Sequence, residues 1–176
     1  NRYDEELELN PEFLGIIFER LVNKDNGAVY TPRTEVDYMC RMALVKWLEQ
    51  KQAAPVSELY ELLFREGGYG EEFDGQQKSG KFTETQVTEL IRLLETVTIC
   101  DPAAGSGAFE VGMLHVLDQT LAELSHKPGA PPSSAAKTAF DRKKEIIANS
   151  LYGVEVESWA VWINQLRLWL TLFIDM

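Results

Sequence analysis

The residues best suited to chemistry lie at 101–107. There Asp101 ends the short β-branched run Val97-Thr98-Ile99-Cys100, and the small-residue turn Pro102-Ala103-Ala104-Gly105-Ser106-Gly107 follows. The run reads as a strand, the turn as a ligand loop, and the apolar spacing after Ala108 as a helix. Gly105 and Gly107 permit positive φ and let backbone approach a ligand without interference from a Cβ. The N–H groups of the helix's first turn favour an anionic or polar group. Asp101, at the carboxyl end of the strand, can accept hydrogen bonds from a cationic or hydroxyl-bearing one. An amino acid joined to a nucleoside carries both.

A second short strand ending in acid is read at Leu151-Tyr152-Gly153-Val154-Glu155-Val156-Glu157. In a βαβ unit the carboxylate that closes the second strand sits beside a ribose diol, which singles out Glu155. The glycine loop continues with Ala108, Phe109 and Glu110 rather than a third glycine. Its acid also comes far later than the roughly twenty residues usual in a nicotinamide-binding unit. The pattern departs from that of a dinucleotide site.

Asp101-Pro102-Ala103-Ala104-Gly105-Ser106-Gly107-Ala108-Phe109 resembles the Asp-Pro-Ala-Cys-Gly-Ser-Gly motif of adenine-N6 DNA methyltransferases, with Ala104 in place of the usual cysteine. Gly153-Val154-Glu155-Val156-Glu157 is similar to their second motif. Gly27-Ala28-Val29-Tyr30-Thr31-Pro32 resembles the Tyr-Thr-Pro motif that precedes both. The order of the three is that of the gamma arrangement, found in type I modification subunits and in fused restriction-modification enzymes of the Eco57I kind. The resemblance covers most of the chain and implies S-adenosylmethionine as cofactor. Tyr30, Thr31 and Pro32 would lie against its methionine end. Asp101, Pro102, Ala103, Gly105, Ser106, Gly107 and Phe109 would form the loop around it. Glu155 would hold the ribose, and Val156 would pack on the adenine. Read from the residues alone, Tyr30-Thr31-Pro32 is a helix-connecting turn and Val156 a buried strand residue.

The implied fold is α/β: the first part of a Rossmann-like methyltransferase core over 83–176, preceded by a helical segment over 1–82. The implied reaction transfers a methyl group to adenine N6, with an Asn/Asp-Pro-Pro-Tyr/Phe motif acting on a base flipped from the duplex. No Pro-Pro-Tyr or Pro-Pro-Phe occurs in this sequence, so no catalytic residue is assigned here. Double-stranded DNA would be held by regions outside the chain, with a specificity or restriction partner. A methyltransferase acting on RNA or protein, a non-catalytic cofactor-binding module, and a nucleotide-binding fold that uses another ligand are the alternatives.

Composition agrees with a part that does not itself grip DNA. The 176 residues carry 17 Lys and Arg against 28 Asp and Glu, a net charge of −11, whereas phosphate contacts need clustered cations. With 45% hydrophobic and 26% charged residues the chain suits a globular domain with a sizeable core. The most apolar stretch is interrupted by Asn164, Gln165 and Arg167, and no leader pattern opens the sequence, so neither a membrane span nor secretion is expected. Cys40 and Cys100 have no metal-like spacing, which suggests reduced thiols in a cytoplasm. The sequence opens on Asn1 rather than Met, as an excised piece would.

The helices that must position these residues follow from spacing. Asn10-Pro11 starts one whose Phe13, Leu14, Ile17, Phe18 and Leu21 repeat at helical intervals. Thr34 and Asp37 cap a second, with Val36, Met39, Cys40, Met42, Ala43, Trp47 and Leu48 inward. Ser57 opens a short third before a polar, glycine-rich insertion running to Lys81. Thr83 and Gln86 open the helix of Val87, Leu90, Ile91 and Leu94 that delivers the chain to the first strand. After the loop, Val111, Leu114, Leu117, Leu121 and Leu124 face the sheet, with Gly112 a close-packing point. His115 and His126 read as ordinary helix residues without metal-ligand spacing. Residues 127–137 read as a flexible loop. Ser158 caps a last helix, where Trp159, Trp162, Ile163, Leu166, Trp169, Leu170 and Phe173 are expected to be buried.

Overall fold

The computed structural model describes Ile17, residues 31–64 and residues 82–173. The first expected helix, apart from Ile17, lies outside the described residues, as do Tyr30 and the glycine-rich insertion; Ile17 is helical and exposed.

Seven helices and two strands are described. Helix α1 spans Arg33–Gln50, α2 Val56–Phe64 and α3 Glu84–Thr96. Strand β1 is Ile99–Asp101 and α4 is Ala108–Ser125. They are followed by α5 (Pro132–Ala135), α6 (Ala139–Asn149), β2 (Leu151–Gly153) and α7 (Ser158–Phe173). Helix α3 starts with the expected capping box: the Thr83 hydroxyl accepts the Gln86 N–H, and the Gln86 side chain accepts the Thr83 N–H. Thr138 and Asp141 form a second box at the start of α6. Three expected caps fall elsewhere, Ser158 among them: α7 begins at that residue, and the Glu157 carbonyl accepts the N–H groups of Ala160 and Val161. Helix α1 begins one residue before Thr34, with Pro32 at the cap and Thr34 bonded to Glu35. Helix α2 likewise begins before Ser57, and the Pro55 carbonyl accepts the N–H groups of Glu58 and Leu59. The loop after α4 is also more ordered than expected, because α5 interrupts it and its buried Ser134 donates to Glu95.

Helix α4 is the centre of packing, touching α1, α3, α6 and α7. A single apolar cluster joins Leu44 and Leu48 of α1, Leu59 and Leu63 of α2, Leu90, Ile91 and Leu94 of α3, and Leu114, Leu117 and Leu124 of α4. Each fully buried leucine contributes about 1.5–3 kcal/mol relative to exposure. The inward face of α1 is rotated from the one expected: Leu44, Val45 and Arg41 are buried, while Met39 is exposed. Arg41 is accommodated because Asp37, the Leu63 carbonyl and Gln119 accept its donors. Gly112 permits the α1–α4 contact, since a Cβ there would crowd Val36 Cγ1.

The two strands are parallel, in the register Ile99 to Leu151, Cys100 to Tyr152 and Asp101 to Gly153. A parallel pair needs a long crossover, and α4 to α6 supply it. Both strands are shorter than expected. Val97 and Thr98 precede β1, and Val154 to Glu157 lie beyond β2. The ladder nevertheless continues into the loops: Val154 N–H donates to the Asp101 carbonyl at 2.8 Å, and Ala104 N–H to the Val154 carbonyl at 3.0 Å. Alternation along the strands puts Cys100 and Tyr152 on one face of the sheet, and both are exposed. Among the described residues no helix is long and apolar enough to cross a membrane.

The last helix contradicts its expected orientation. Of the expected inward residues only Ile163 is buried, beside Ala160, Arg167 and Thr171; Trp159 and Leu170 are half-buried, and Trp162 (73% exposed), Leu166, Trp169 and Phe173 face outward. Val156, 93% exposed, is likewise not a buried strand residue.

Candidate cofactor site at the ends of the two strands

Parallel strands bring their carboxyl ends to one side, so the loops after β1 and β2 meet there. Asp101 closes β1 and turns its side chain back, Oδ1 accepting the Ala103 N–H at 2.9 Å. This fixes the turn that exposes Pro102 and Ala103 and buries Ala104. Gly105 and Gly107 both adopt positive φ, +54° and +85°. Their reasons differ. A Cβ on Gly105 would meet open space, whereas one on Gly107 would overlap the Asn164 side chain. Ser106 between them is buried, and Arg167 Nη1 donates to its carbonyl at 2.8 Å and its hydroxyl at 3.2 Å. Gly107 starts α4, and half-buried Phe109 packs onto the core.

Glu155 bridges the two loops. Its Oε2 accepts the Gly105 N–H at 2.8 Å, and its Oε1 accepts those of Val156 and Glu157 at 2.8 and 2.9 Å. The Glu157 N–H above all, with help from those of Gly105 and Val156, holds this carboxylate below its ordinary range against burial, the second-largest effect. Val156 projects beside it into solvent. Thr31 is half-buried and Pro32 exposed just before α1, whose Val36 and Cys40 pack on α4 beside Gly112 and the Phe109 carbonyl. Tyr30 lies outside the described residues.

Beneath the loop is a polar layer that the sequence reading missed. Glu110, 4% exposed, lies in the first turn of α4, and its Oε1 accepts from Asn164 Nδ2 at 3.2 Å. Burial pushes its carboxyl up to about 7; nearby Asp101 adds to this, while its own N–H, Asn164 and Arg167 oppose it. Asn164 and Arg167 stand where polar residues interrupt the α7 apolar pattern, which is the sequence signal for this layer.

The sequence profile of the MmeI DNA-methyltransferase domain matches residues 76–174, more than half of the chain. A Methanocaldococcus jannaschii protein, named as a type II restriction enzyme and methyltransferase, is 28% identical over 181 residues. That alignment takes in 96% of this chain but 14% of the relative, so the chain spans about a seventh of the relative's length. No solved structure matches the chain. This chain belongs to the MmeI DNA-methyltransferase domain family, over residues 76–174.

Proposed function

We propose that this chain is the S-adenosylmethionine-binding portion of a gamma-type adenine-N6 DNA methyltransferase in a restriction-modification enzyme. In this reading β1, α4 and β2 begin a Rossmann-like core. The observation that carries it is the meeting of the Gly105 N–H and the Glu155 carboxylate beside Asp101 at the carboxyl ends of two parallel strands. The residues present fit the cofactor: the space beside Gly105 is open to a ligand, and the two acids suit an ammonium group and a ribose diol. The bound cofactor supplies a methyl group on a sulfonium, activated without help from the protein.

The chain's own residues bind and orient. Glu155 has about four lone-pair positions, and three accept backbone N–H groups. One position remains for a hydroxyl, so taking both ribose hydroxyls requires Gly105 to share or release its bond. Asp101 accepts from the ammonium end while its Oδ1 keeps the turn closed. Val156 offers an apolar surface to the adenine. Target adenine, duplex DNA and any restriction or specificity partner would be engaged by parts outside the chain, in the cytoplasm.

Calorimetric titration with S-adenosylmethionine tests the reading, with NAD as the control. Binding of the former alone is expected. Preference for NAD would overturn the assignment. For the full-length enzyme, mass spectrometry of nucleosides from methylated DNA should show N6-methyladenine, and cytosine methylation instead would refute the N6 reading.

A further inference from the structure

Two buried oxygens beneath the glycine loop, Glu110 Oε2 and Asn164 Oδ1, have no hydrogen-bond partner, and with Glu110 ionised neither can donate. Both are acceptors in that state, and they belong to side chains already joined by Asn164 Nδ2 donating to Glu110 Oε1. A single proton on Glu110 Oε2 could satisfy both, giving an acid–amide ring with one hydrogen bond in each direction. The pair sits between the two halves of the site. A Cβ on Gly153, at the end of β2, would overlap Glu110 Oε1, and one on Gly107, at the start of α4, would overlap Asn164 Oδ1.

We propose that protonated Glu110 and Asn164 form a cyclic acid–amide pair that latches α7 under the glycine loop and positions Gly105 and Gly107 for the cofactor. Glu110 is thus a positioning residue rather than a catalytic one, and the cofactor half of this inference rests on the function proposed above. The groups that face Glu110 from neighbouring elements are Asp101 from β1, Cys40 from α1 and Arg167 from α7. Asp101 disfavours ionisation, Arg167 favours it, and burial decides in favour of the neutral acid up to about pH 7. Above that pH the ring opens, because a carboxylate cannot donate and would face Asn164 Oδ1 as a second acceptor.

Carbon-detected NMR of the Glu110 carboxyl, with the Gly105 and Gly107 amide signals followed over the same pH range, tests the pair without any cofactor. The Glu110 transition is expected near 7, with both glycine amides shifting along it. A transition in the ordinary glutamate range, or glycine amides that do not follow it, would overturn the proposal. The variant Glu110→Gln keeps the ring, since its amide can donate to Asn164 Oδ1 at every pH. Affinity for S-adenosylmethionine should therefore fall about tenfold more in the wild type than in the variant between pH 6 and 8.5, the factor for one unit of difference in Glu110 pKa between free and bound chain. Taking the ratio removes the cofactor's own amino group, which titrates in the same range. Parallel pH profiles in wild type and variant would refute the positioning role. Absence of binding in both at every pH would instead count against the cofactor, with the pair still decided by the NMR titration.

Discussion

Gly105 and Glu155, fifty positions apart, are joined by a 2.8 Å hydrogen bond from backbone N–H to Oε2. It ties the loop after β1 to the loop after β2, beside the backbone bonds of Val154 to Asp101 and Ala104. The two loops are therefore one structure before any ligand arrives, and substitutions in one should be felt in the other.

Glu155→Ala removes the acceptor for three N–H groups and should weaken S-adenosylmethionine binding at least about tenfold, since hydrogen bonds to a charged group contribute about 1.5–3 kcal/mol. Asp101→Ala should have a similar effect. Titration calorimetry on both variants measures it, and parental affinity in both would remove these acids from the site.

The two loop glycines should respond differently to alanine. Gly105→Ala meets only the cost of positive φ, about 1–2 kcal/mol, yet its methyl enters the open space that the proposed cofactor would occupy, so binding should fall while the fold survives. Gly107→Ala carries the same backbone cost and a clash with Asn164. Denaturant unfolding should rank Gly107→Ala as the less stable variant, with part of its loss recovered in the Asn164→Ala background. Equal stability of the two single variants would contradict the close approach of Asn164.

Stability should carry a signature of Glu110. Its folded-state pKa, about 7, lies above the ordinary value of 4.5, so the folded chain holds the proton more tightly. That contribution is fully present below about pH 4.5, is lost progressively as pH rises to about 7, and is absent above. Its size is about 3 kcal/mol. Chemical unfolding of wild type and Glu110→Gln across this range gives it as the difference between two curves, and a constant difference would show that Glu110 titrates alike in folded and unfolded chains.

The orientation of α7 is open to a direct check. Trp162→Ala should change stability by less than about 0.5 kcal/mol, as at an exposed position, whereas Ile163→Ala should cost about 2–4 kcal/mol. Arg167→Ala should cost about 1–3 kcal/mol by leaving the buried Ser106 carbonyl without its donor. The reverse order for Trp162 and Ile163 would mean that the aromatic face is inward.

Where one face of a segment was plainly more apolar, the sequence was readable. The Val87–Leu94 pattern and the Thr83–Gln86 box agree with the structure because spacing and capping point the same way; the Val111–Leu124 spacing agrees too, although Gly107 starts that helix without a side-chain cap. Helix α7 was ambiguous because it is apolar nearly all round. Ranking its faces by hydrophobicity placed the tryptophans inward. What determines its orientation is the pairing of Arg167 with Ser106 and of Asn164 with Glu110, across sixty-one and fifty-four positions of sequence. Spacing within one helix cannot reveal such partners. For the candidate site, the motif residues Asp101, Gly105 and Glu155 were legible, whereas the layer beneath them was not. The backbone bonds that occupy Glu155 were equally hidden, since any main-chain N–H can make them.

The two cysteines described here have opposite fates toward thiol reagents. Cys40 is buried against the Phe109 carbonyl, with its thiol pushed up to about 12 first by burial and then by Asp37. Cys100 stands on the open face of the sheet. A maleimide or nitroxide added to the native chain should therefore attach once, at Cys100, immediately before Asp101. The molecule thus carries a built-in attachment point for a spectroscopic probe one residue from its glycine loop, without any engineered cysteine.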